Sequence, residues 1–197
     1  MLKSLTVIIL TSILVNNYVL TKFLGICPFL GVSKKLGPAC GMGVAVTFVM
    51  LLATAATWPI QTYLLNKFHL EYLQTIVFIL VIAALVQLVE IALKRYLPSL
   101  HRSLGVYLPL ITTNCAVLAV AKNNITDGYG FVESVASSLG CGLGFLLAMV
   151  LFAGVRMRIE TSNPPKAFAG VPITLVSASI VAMSFYGFAG IVDNLFA

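Results

Sequence analysis

The chain has 197 residues, of which 60% are hydrophobic and 9% are charged, and its mean hydropathy is +1.05. A soluble domain carries about 25% charged residues, so this composition excludes a soluble globular domain, a disordered chain, a nucleic-acid-binding domain and a small disulfide-rich scaffold. An integral membrane protein remains. We interpret the formal net charge of +6 as a determinant of orientation in the membrane rather than as a surface for an anionic partner such as nucleic acid.

Long apolar runs predict transmembrane helices, because a helix satisfies all its backbone hydrogen bonds within one segment in lipid and needs about 20 residues to cross. The sequence predicts six of them, approximately at residues 5–24, 40–65, 72–93, 104–121, 133–155 and 171–192. The connectors between them are short. We therefore expect an all-α integral membrane protein in which residues 1–197 form a single membrane domain, with no room for a soluble catalytic domain.

The positive charges predict the orientation of the chain. With six spans, the first, third and fifth connectors share one side of the membrane and carry nine of the 12 Lys and Arg residues, whereas the other side carries three. Loops rich in Lys and Arg face the cytoplasm. Both termini are therefore predicted on the outer side.

The two halves of the chain, about 1–97 and 98–197, repeat one pattern. A shift of 88 residues aligns Leu20 and Cys27 with Leu108 and Cys115. Each half contains three predicted spans, an odd number, so the halves cross the bilayer in opposite directions. The sequence thus predicts two inverted three-helix repeats.

Helix-breaking residues surround the two aligned cysteines: Gly25 and Pro28 flank Cys27, and Pro109 precedes Cys115. Broken helices at matching positions of two repeats point to a functional site near the membrane midplane. Thiolates at such a site suit Cu(I), Zn or an iron–sulfur cluster. A disulfide and simple packing between helices are the alternatives.

The other two cysteines lie beside glycines spaced four apart, which is typical of close helix packing. We therefore expect a packing role for Cys40 and Cys141. The glycine pairs are Gly37 with Gly41 and Gly140 with Gly144.

Two motifs resemble a known family. Residues 14–35 contain Asn16-Asn17 and Cys27-Pro28-Phe29, and residues 108–118 contain Thr112-Thr113-Asn114-Cys115. Both are similar to the motifs of the A subunit of the Rnf complex, also called the SoxR-reducing complex, and the resemblance extends over the whole chain. The E subunit of the sodium-translocating NADH:quinone reductase is related but less similar in these motifs.

The resemblance implies a subunit of an ion-translocating ferredoxin:NAD oxidoreductase in a bacterial or archaeal cytoplasmic membrane, moving Na⁺ or H⁺ and inactive alone. It also implies a homologous, oppositely oriented partner, the Rnf E subunit, and the further subunits B, C, D and G. The resemblance further implies that the two homologues share one intramembrane [2Fe–2S] cluster, which would relay electrons across the membrane. By this resemblance Cys27 and Cys115 are the two iron ligands that this chain supplies, and Cys40 and Cys141 are not assigned.

Polar side chains near these cysteines are candidates to line an ion path, with hydrogen bonding between helices as the alternative use. They are Asn16, Asn17, Thr112, Thr113 and Asn114.

A secondary permease without a redox centre is the alternative function, because inverted repeats with broken helices are also the plan of transporters. A thiol-based carrier of Cu(I) or Zn is disfavoured, since the sequence lacks a His-, Cys- or Met-rich loop that could load the metal.

Overall fold

The structure is a computed structural model that describes residues 2–68, 71–96, 110–111, 113–162, 165, 168 and 170–187. The helices in this part of the chain are α1 (Leu2–Leu14), α2 (Ile26–Val32), α3 (Leu36–Ile60), α4 (Gln74–Tyr96), α5 (Cys115–Thr126), α6 (Phe131–Glu160) and α7 (Val171–Tyr186). Helix α3 continues through a π-helical turn, Gln61–Leu65, into a last α-helical turn, Asn66–Phe68. No strand occurs among the described residues.

Three of the described helices are long and apolar enough to cross a bilayer: Leu36–Leu65, Gln74–Ile91 and Phe131–Ile159. Two shorter apolar helices cover Leu5–Leu14 and Val171–Tyr186. The predicted spans 40–65, 72–93 and 133–155 therefore correspond to long helices. The predicted span 171–192 matches α7 up to its end, and its last residues lie outside the described part.

The predicted span 5–24 is wrong in its second half, because α1 ends at Leu14. The side chain of Asn17 causes this difference: its Oδ1 accepts hydrogen bonds from the backbone N–H groups of Val19, at 3.1 Å, and Leu20, at 3.3 Å. An Asn side chain that binds nearby backbone in this way competes with the helix. Of the predicted span 104–121, the described part contains the helix that begins at Cys115, and residues 104–109 lie outside it.

Helices α3 and α6 pack against each other in antiparallel directions and form the centre of the fold. A Cβ atom on Gly142 would lie 2.5 Å from Cγ2 of Thr47, and one on Gly43 would lie 3.0 Å from Cα of Leu146. Glycine thus allows the two backbones to approach closely, as in other membrane helix pairs.

The predicted packing of Gly140 and Gly144 is confirmed, because both meet α1: a Cβ on Gly140 would lie 2.9 Å from Ser12 Cβ, and one on Gly144 would lie 3.2 Å from Ile13 Cα. The matching packing of Gly37 and Gly41 is not found among the described residues. No described atom lies within 4 Å of a Cβ built on Gly37 or on Gly41.

A buried polar network joins α3, α5 and α6 on the side of the core away from the cysteines. The hydroxyl oxygens of Thr54 and Ser138 are 2.6 Å apart, and Asn124 Nδ2 donates to Ser138 Oγ at 3.1 Å and to the Ser134 carbonyl at 3.2 Å. These bonds satisfy polar groups inside an otherwise apolar core, which is the condition for burying them. The network therefore fixes the register of the three helices.

Candidate functional site

The two aligned cysteines both stand at the start of a helix. Cys27 is the second residue of α2, and Cys115 is the first residue of α5. Both thiols are free and both residues are exposed on the surface of the single chain. Their side chains can therefore reach a group bound at that surface.

A hydrogen bond brings the two cysteine motifs together. The backbone N–H of Gly25 donates to Sγ of Cys115 at 3.0 Å, although the two residues are 90 positions apart in the chain. Cys27 follows Gly25 by two residues, a distance that the backbone spans in about 7 Å at most. The fold thus places Cys27 close to Cys115.

Gly25 can occupy this position because it lacks a side chain. Its φ is 77°, a left-handed conformation that glycine adopts without strain. A Cβ on Gly25 would lie 2.9 Å from Cε2 of Phe145 and 3.0 Å from Oδ1 of Asn114. The close approach of the two motifs therefore requires glycine at residue 25.

Asn114 caps the helix that begins with Cys115. Its Oδ1 accepts a hydrogen bond from the backbone N–H of Ala116 at 3.1 Å, which is the usual use of Asn at a helix N-terminus. The residue is 5% exposed, and its Nδ2 has no hydrogen-bond partner within the described residues.

The far end of α2 is held by Arg156 of α6. The Arg156 guanidinium donates from Nη1 to the carbonyl of Leu30 and to Oγ of Ser33, the latter at 2.8 Å. The ring of Phe29 also stacks on that of Phe152, with centroids 4.3 Å apart. Sequence reasoning assigns Arg156 only to the cytoplasmic charge, and nothing in its sequence neighbourhood distinguishes it from Arg158.

The remaining cysteines differ from this pair. Cys141 is buried in the core of α6, as expected for a packing residue, whereas Cys40 is exposed on α3. Among the described residues, no three His, Cys, Asp or Glu side chains lie close enough to hold a metal ion. A metal group at Cys27 and Cys115 would therefore need ligands beyond those that the described residues supply.

The polar residues predicted for an ion path occupy different environments. Asn16 and Thr113 are exposed, and Thr112 lies outside the described residues. Asn17 is fully buried, and its Nδ2 donates to the carbonyl of Gly144 at 2.8 Å. Asn17 therefore forms hydrogen bonds between packed segments, which is the alternative to an ion path that the sequence left open.

Comparison with known proteins gives one family. Residues 5–192 match the family model described as "Rnf-Nqr subunit, membrane protein". The chain is 59% identical over 187 residues to the A subunit of the Na(+)-translocating ferredoxin:NAD(+) oxidoreductase complex of Acetobacterium woodii, an alignment that covers 95% of this chain and 97% of the relative. It is 54% identical over 193 residues to the A subunit of the ion-translocating oxidoreductase complex of Syntrophotalea carbinolica, covering 98% and 100%. The protein of the same name from Vibrio vulnificus is 48% identical over 185 residues, covering 94% and 96%.

Proposed function

The chain belongs to the Rnf-Nqr family of membrane-protein subunits, and from this membership we propose that it is the A subunit of an ion-translocating ferredoxin:NAD oxidoreductase complex. The names of its relatives in Acetobacterium woodii and Syntrophotalea carbinolica support this assignment. In the proposal the chain contributes half of an intramembrane [2Fe–2S] site. The complex moves electrons across the membrane in step with Na⁺ or H⁺, and the chain is not catalytic alone.

The contact between Gly25 and Cys115 is the observation that carries the proposal. It brings the segment that contains Cys27 against Cys115 from a distant part of the chain, and both cysteines are exposed. A [2Fe–2S] cluster is usually held by four thiolates. Two of them would come from this chain, and the other two from the homologous, oppositely oriented E subunit. Subunits B, C, D and G would complete the complex.

The residues around Cys115 fit such a group. Sulfur atoms of iron–sulfur sites accept backbone N–H hydrogen bonds, and Gly25 already donates one to Cys115 Sγ. The N-terminus of α5, which has 12 residues, adds a partial positive charge beside the thiolate. When bound, the cluster supplies one-electron transfer. The chain's own part is to hold iron through Cys27 and Cys115 and to stabilise negative charge at their sulfurs.

Charge balance suggests how electron flow and ion movement are coupled. An electron on a cluster inside the membrane adds negative charge in a medium of low dielectric constant, where that charge is poorly screened. A cation drawn toward that charge would cross part of the membrane with each electron. Among the predicted path residues, Asn16 and Thr113 are exposed polar side chains that a partly hydrated cation could contact.

The order of the helices supports the proposed six-span inverted repeat. Each half contains a helix that begins at the cysteine motif, α2 or α5, followed by a long helix, α3 or α6, and then a third helix, α4 or α7. The two long helices run in opposite directions, since Thr47 meets Gly142 whereas Thr54, further along α3, meets Ser138, which is earlier in α6. Opposite directions are what an inverted repeat requires of corresponding helices.

The same packing supports the orientation that the sequence predicts. Lys35 lies just before α3, and Arg156 and Arg158 lie near the end of α6, so the antiparallel pair carries its positive charges at one end. We propose that this end faces the cytoplasm and that both termini lie outside. The turn after α5, which contains Asp127, would then face outward.

Labelling of intact cells tests the orientation. Asp127→Cys and Lys35→Cys place thiols at two exposed positions at opposite ends of the fold. A membrane-impermeant maleimide should label Asp127→Cys in intact cells above the background of the parent chain, and Lys35→Cys only after the membrane is permeabilised. The reverse pattern would contradict the proposed orientation.

Replacement of single cysteines in the purified complex tests the redox function. Cys27→Ala and Cys115→Ala should each remove iron, acid-labile sulfide and the paramagnetic signal of the reduced intramembrane cluster, while the complex still assembles. Cys40→Ala is the matched control, because Cys40 is also an exposed cysteine. A cluster that persists in both of the first two variants contradicts the site. A complex with substrate flux and no such redox centre would instead favour the permease.

A further inference from the structure

A cavity of about 310 Å³ lies between the turn that follows α2, the end of α6 and the start of α7. Binding cavities for small molecules have volumes of roughly 300–1,000 Å³, so this one can hold a ligand as large as a lipid head group. Neither Cys27 nor Cys115 lines it. The cavity is therefore separate from the candidate cysteine site.

One side of the cavity is positively charged. The guanidinium of Arg156 is fixed in this wall by its hydrogen bonds to the carbonyl of Leu30 and to Oγ of Ser33. Lys34 is the next residue after Ser33 and also lines the cavity. The fold thus keeps two like charges close together, and no Asp or Glu is among the described residues of the lining. Both charges favour an anion in the cavity.

The start of α7 adds to this positive charge. The helix has 16 residues, and its N-cap residue Gly170 has no side chain that could accept a hydrogen bond from the first turn. Gly170 and Val171 face the cavity. The N-terminus of a helix carries a partial positive charge and free backbone N–H groups, which stabilise an anion beside it.

The other side of the cavity is apolar, and this wall distinguishes between possible anions. Ile159, Val171 and Ile173 line it. Ile159 is also the last residue of the apolar segment Phe131–Ile159, so the cavity lies where the hydrocarbon region of a bilayer would end. A free anion gains nothing from aliphatic walls, whereas a phospholipid combines an ionic head with apolar chains. Basic pockets between membrane helices on the cytoplasmic side bind anionic lipid head groups.

We propose that this cavity binds the phosphate group of an anionic glycerophospholipid, such as phosphatidylglycerol. Lys34 and Arg156 pair with the phosphate, the start of α7 faces it, and Ile159 and Val171 contact the first part of the acyl chains. The lipid comes from the cytoplasmic leaflet in the proposed orientation of the chain. The inference does not depend on the iron–sulfur group.

Photo-crosslinking of the purified complex in zwitterionic lipid tests the proposal. The probe is a phosphatidylglycerol with a diazirine close to the head group, added below saturation, and mass spectrometry locates the modified residues. We expect modification within residues 156–174 of this chain, and we expect unlabelled phosphatidylglycerol to compete more strongly than phosphatidylcholine. Lys34→Gln should lower the yield at this site about fivefold, because it removes one cation from the pocket. Lys34 is exposed, so the fold should tolerate the change.

Lys35→Gln is the matched control. Lys35 is the adjacent residue, is equally exposed and has the same charge, but it does not line the cavity. Its replacement should leave the yield unchanged. Equal losses in the two variants would show general surface attraction and would overturn the inference, as would modification only outside residues 156–174. Competition by inorganic phosphate as strong as that by phosphatidylglycerol would also overturn it, since the site would then bind a free anion. A complex without iron that still shows the Lys34 dependence would overturn the proposed function and support this inference.

Discussion

A close contact between α3 and α6 can be tested by adding one methyl group at Gly142. In Gly142→Ala the new Cβ would lie 2.5 Å from Cγ2, 2.8 Å from Oγ1 and 2.9 Å from Cα of Thr47, whereas ordinary contacts of this kind begin at 3.4 Å. The side chain of Thr47 can rotate, but its Cα can move only if the helices separate. Overpacking of this kind costs about 1–3 kcal/mol.

Gly154→Ala provides the reference within the same helix. No described atom lies within 4 Å of a Cβ on Gly154. Replacing glycine by alanine inside a helix stabilises both variants by about 1 kcal/mol. The difference in stability between the two variants therefore measures the contact with Thr47. We expect Gly142→Ala to be about 1–3 kcal/mol less stable than Gly154→Ala. Its Tm should be lower by about 2–4 °C for each kcal/mol of this difference.

Thermal unfolding of the purified complex in one detergent measures this difference. Thr47→Ala, combined with Gly142→Ala, removes two of the three close atoms and should recover part of the loss, which a double-mutant cycle detects as coupling. Equal stability of Gly142→Ala and Gly154→Ala would refute the close packing of α3 on α6 at this point.

Two further contacts predict losses of stability. Asn17→Ala should destabilise by about 1–3 kcal/mol in the same unfolding measurement, because it leaves the buried backbone N–H groups of Val19 and Leu20 without their acceptor. Asn16→Ala at the exposed neighbour should change stability by less than about 0.5 kcal/mol. Arg156→Met should cost about 1.5–3 kcal/mol, because the end of α2 loses a charged donor, and it should lower the iron content per complex. Arg158→Met, at an exposed position, should alter neither, and equal effects of the two arginine variants would contradict the anchoring role of Arg156.

Hydropathy predicted the long helices because the bilayer requires apolar length and internally satisfied backbone. Their boundaries were less accurate. The helix that corresponds to the span predicted from residue 40 begins earlier, at Leu36. Pro38 is compatible with this start because it lies in the first turn, where the N–H group that proline lacks would have no partner within the helix. Such differences at helix ends follow from local backbone chemistry rather than from hydropathy.

The glycine motifs illustrate a second limit. The spacing of Gly37 and Gly41 equals that of Gly140 and Gly144, yet only the second pair meets another described helix. Spacing identifies a face of small residues but not the direction in which that face points. Gly43, which belongs to neither pair, is the glycine through which α3 approaches α6.

The sequence predicted which two cysteines form the candidate site but not how they are arranged in space. The internal repeat and the helix breaks singled out Cys27 and Cys115, and the resemblance implied their role as ligands, whereas the hydrogen bond from Gly25 N–H depends on a contact between segments 90 residues apart. Backbone donors have no sequence pattern of their own. They become visible only when the fold brings the two halves together.

These contacts explain why the helices break where they do. A continuous helix uses its backbone N–H groups internally, so it has none to offer a sulfur atom, whereas the first N–H groups of a helix are free. A break inside a membrane is tolerated only when the exposed backbone finds partners within the protein. Asn17 supplies them after α1, Arg156 supplies them at the end of α2, and the N–H of Gly25 finds the sulfur of Cys115. Asn17 and Arg156 therefore satisfy backbone groups where the helices are interrupted, and the interruption before α2 leaves the N–H of Gly25 free to donate to a sulfur atom.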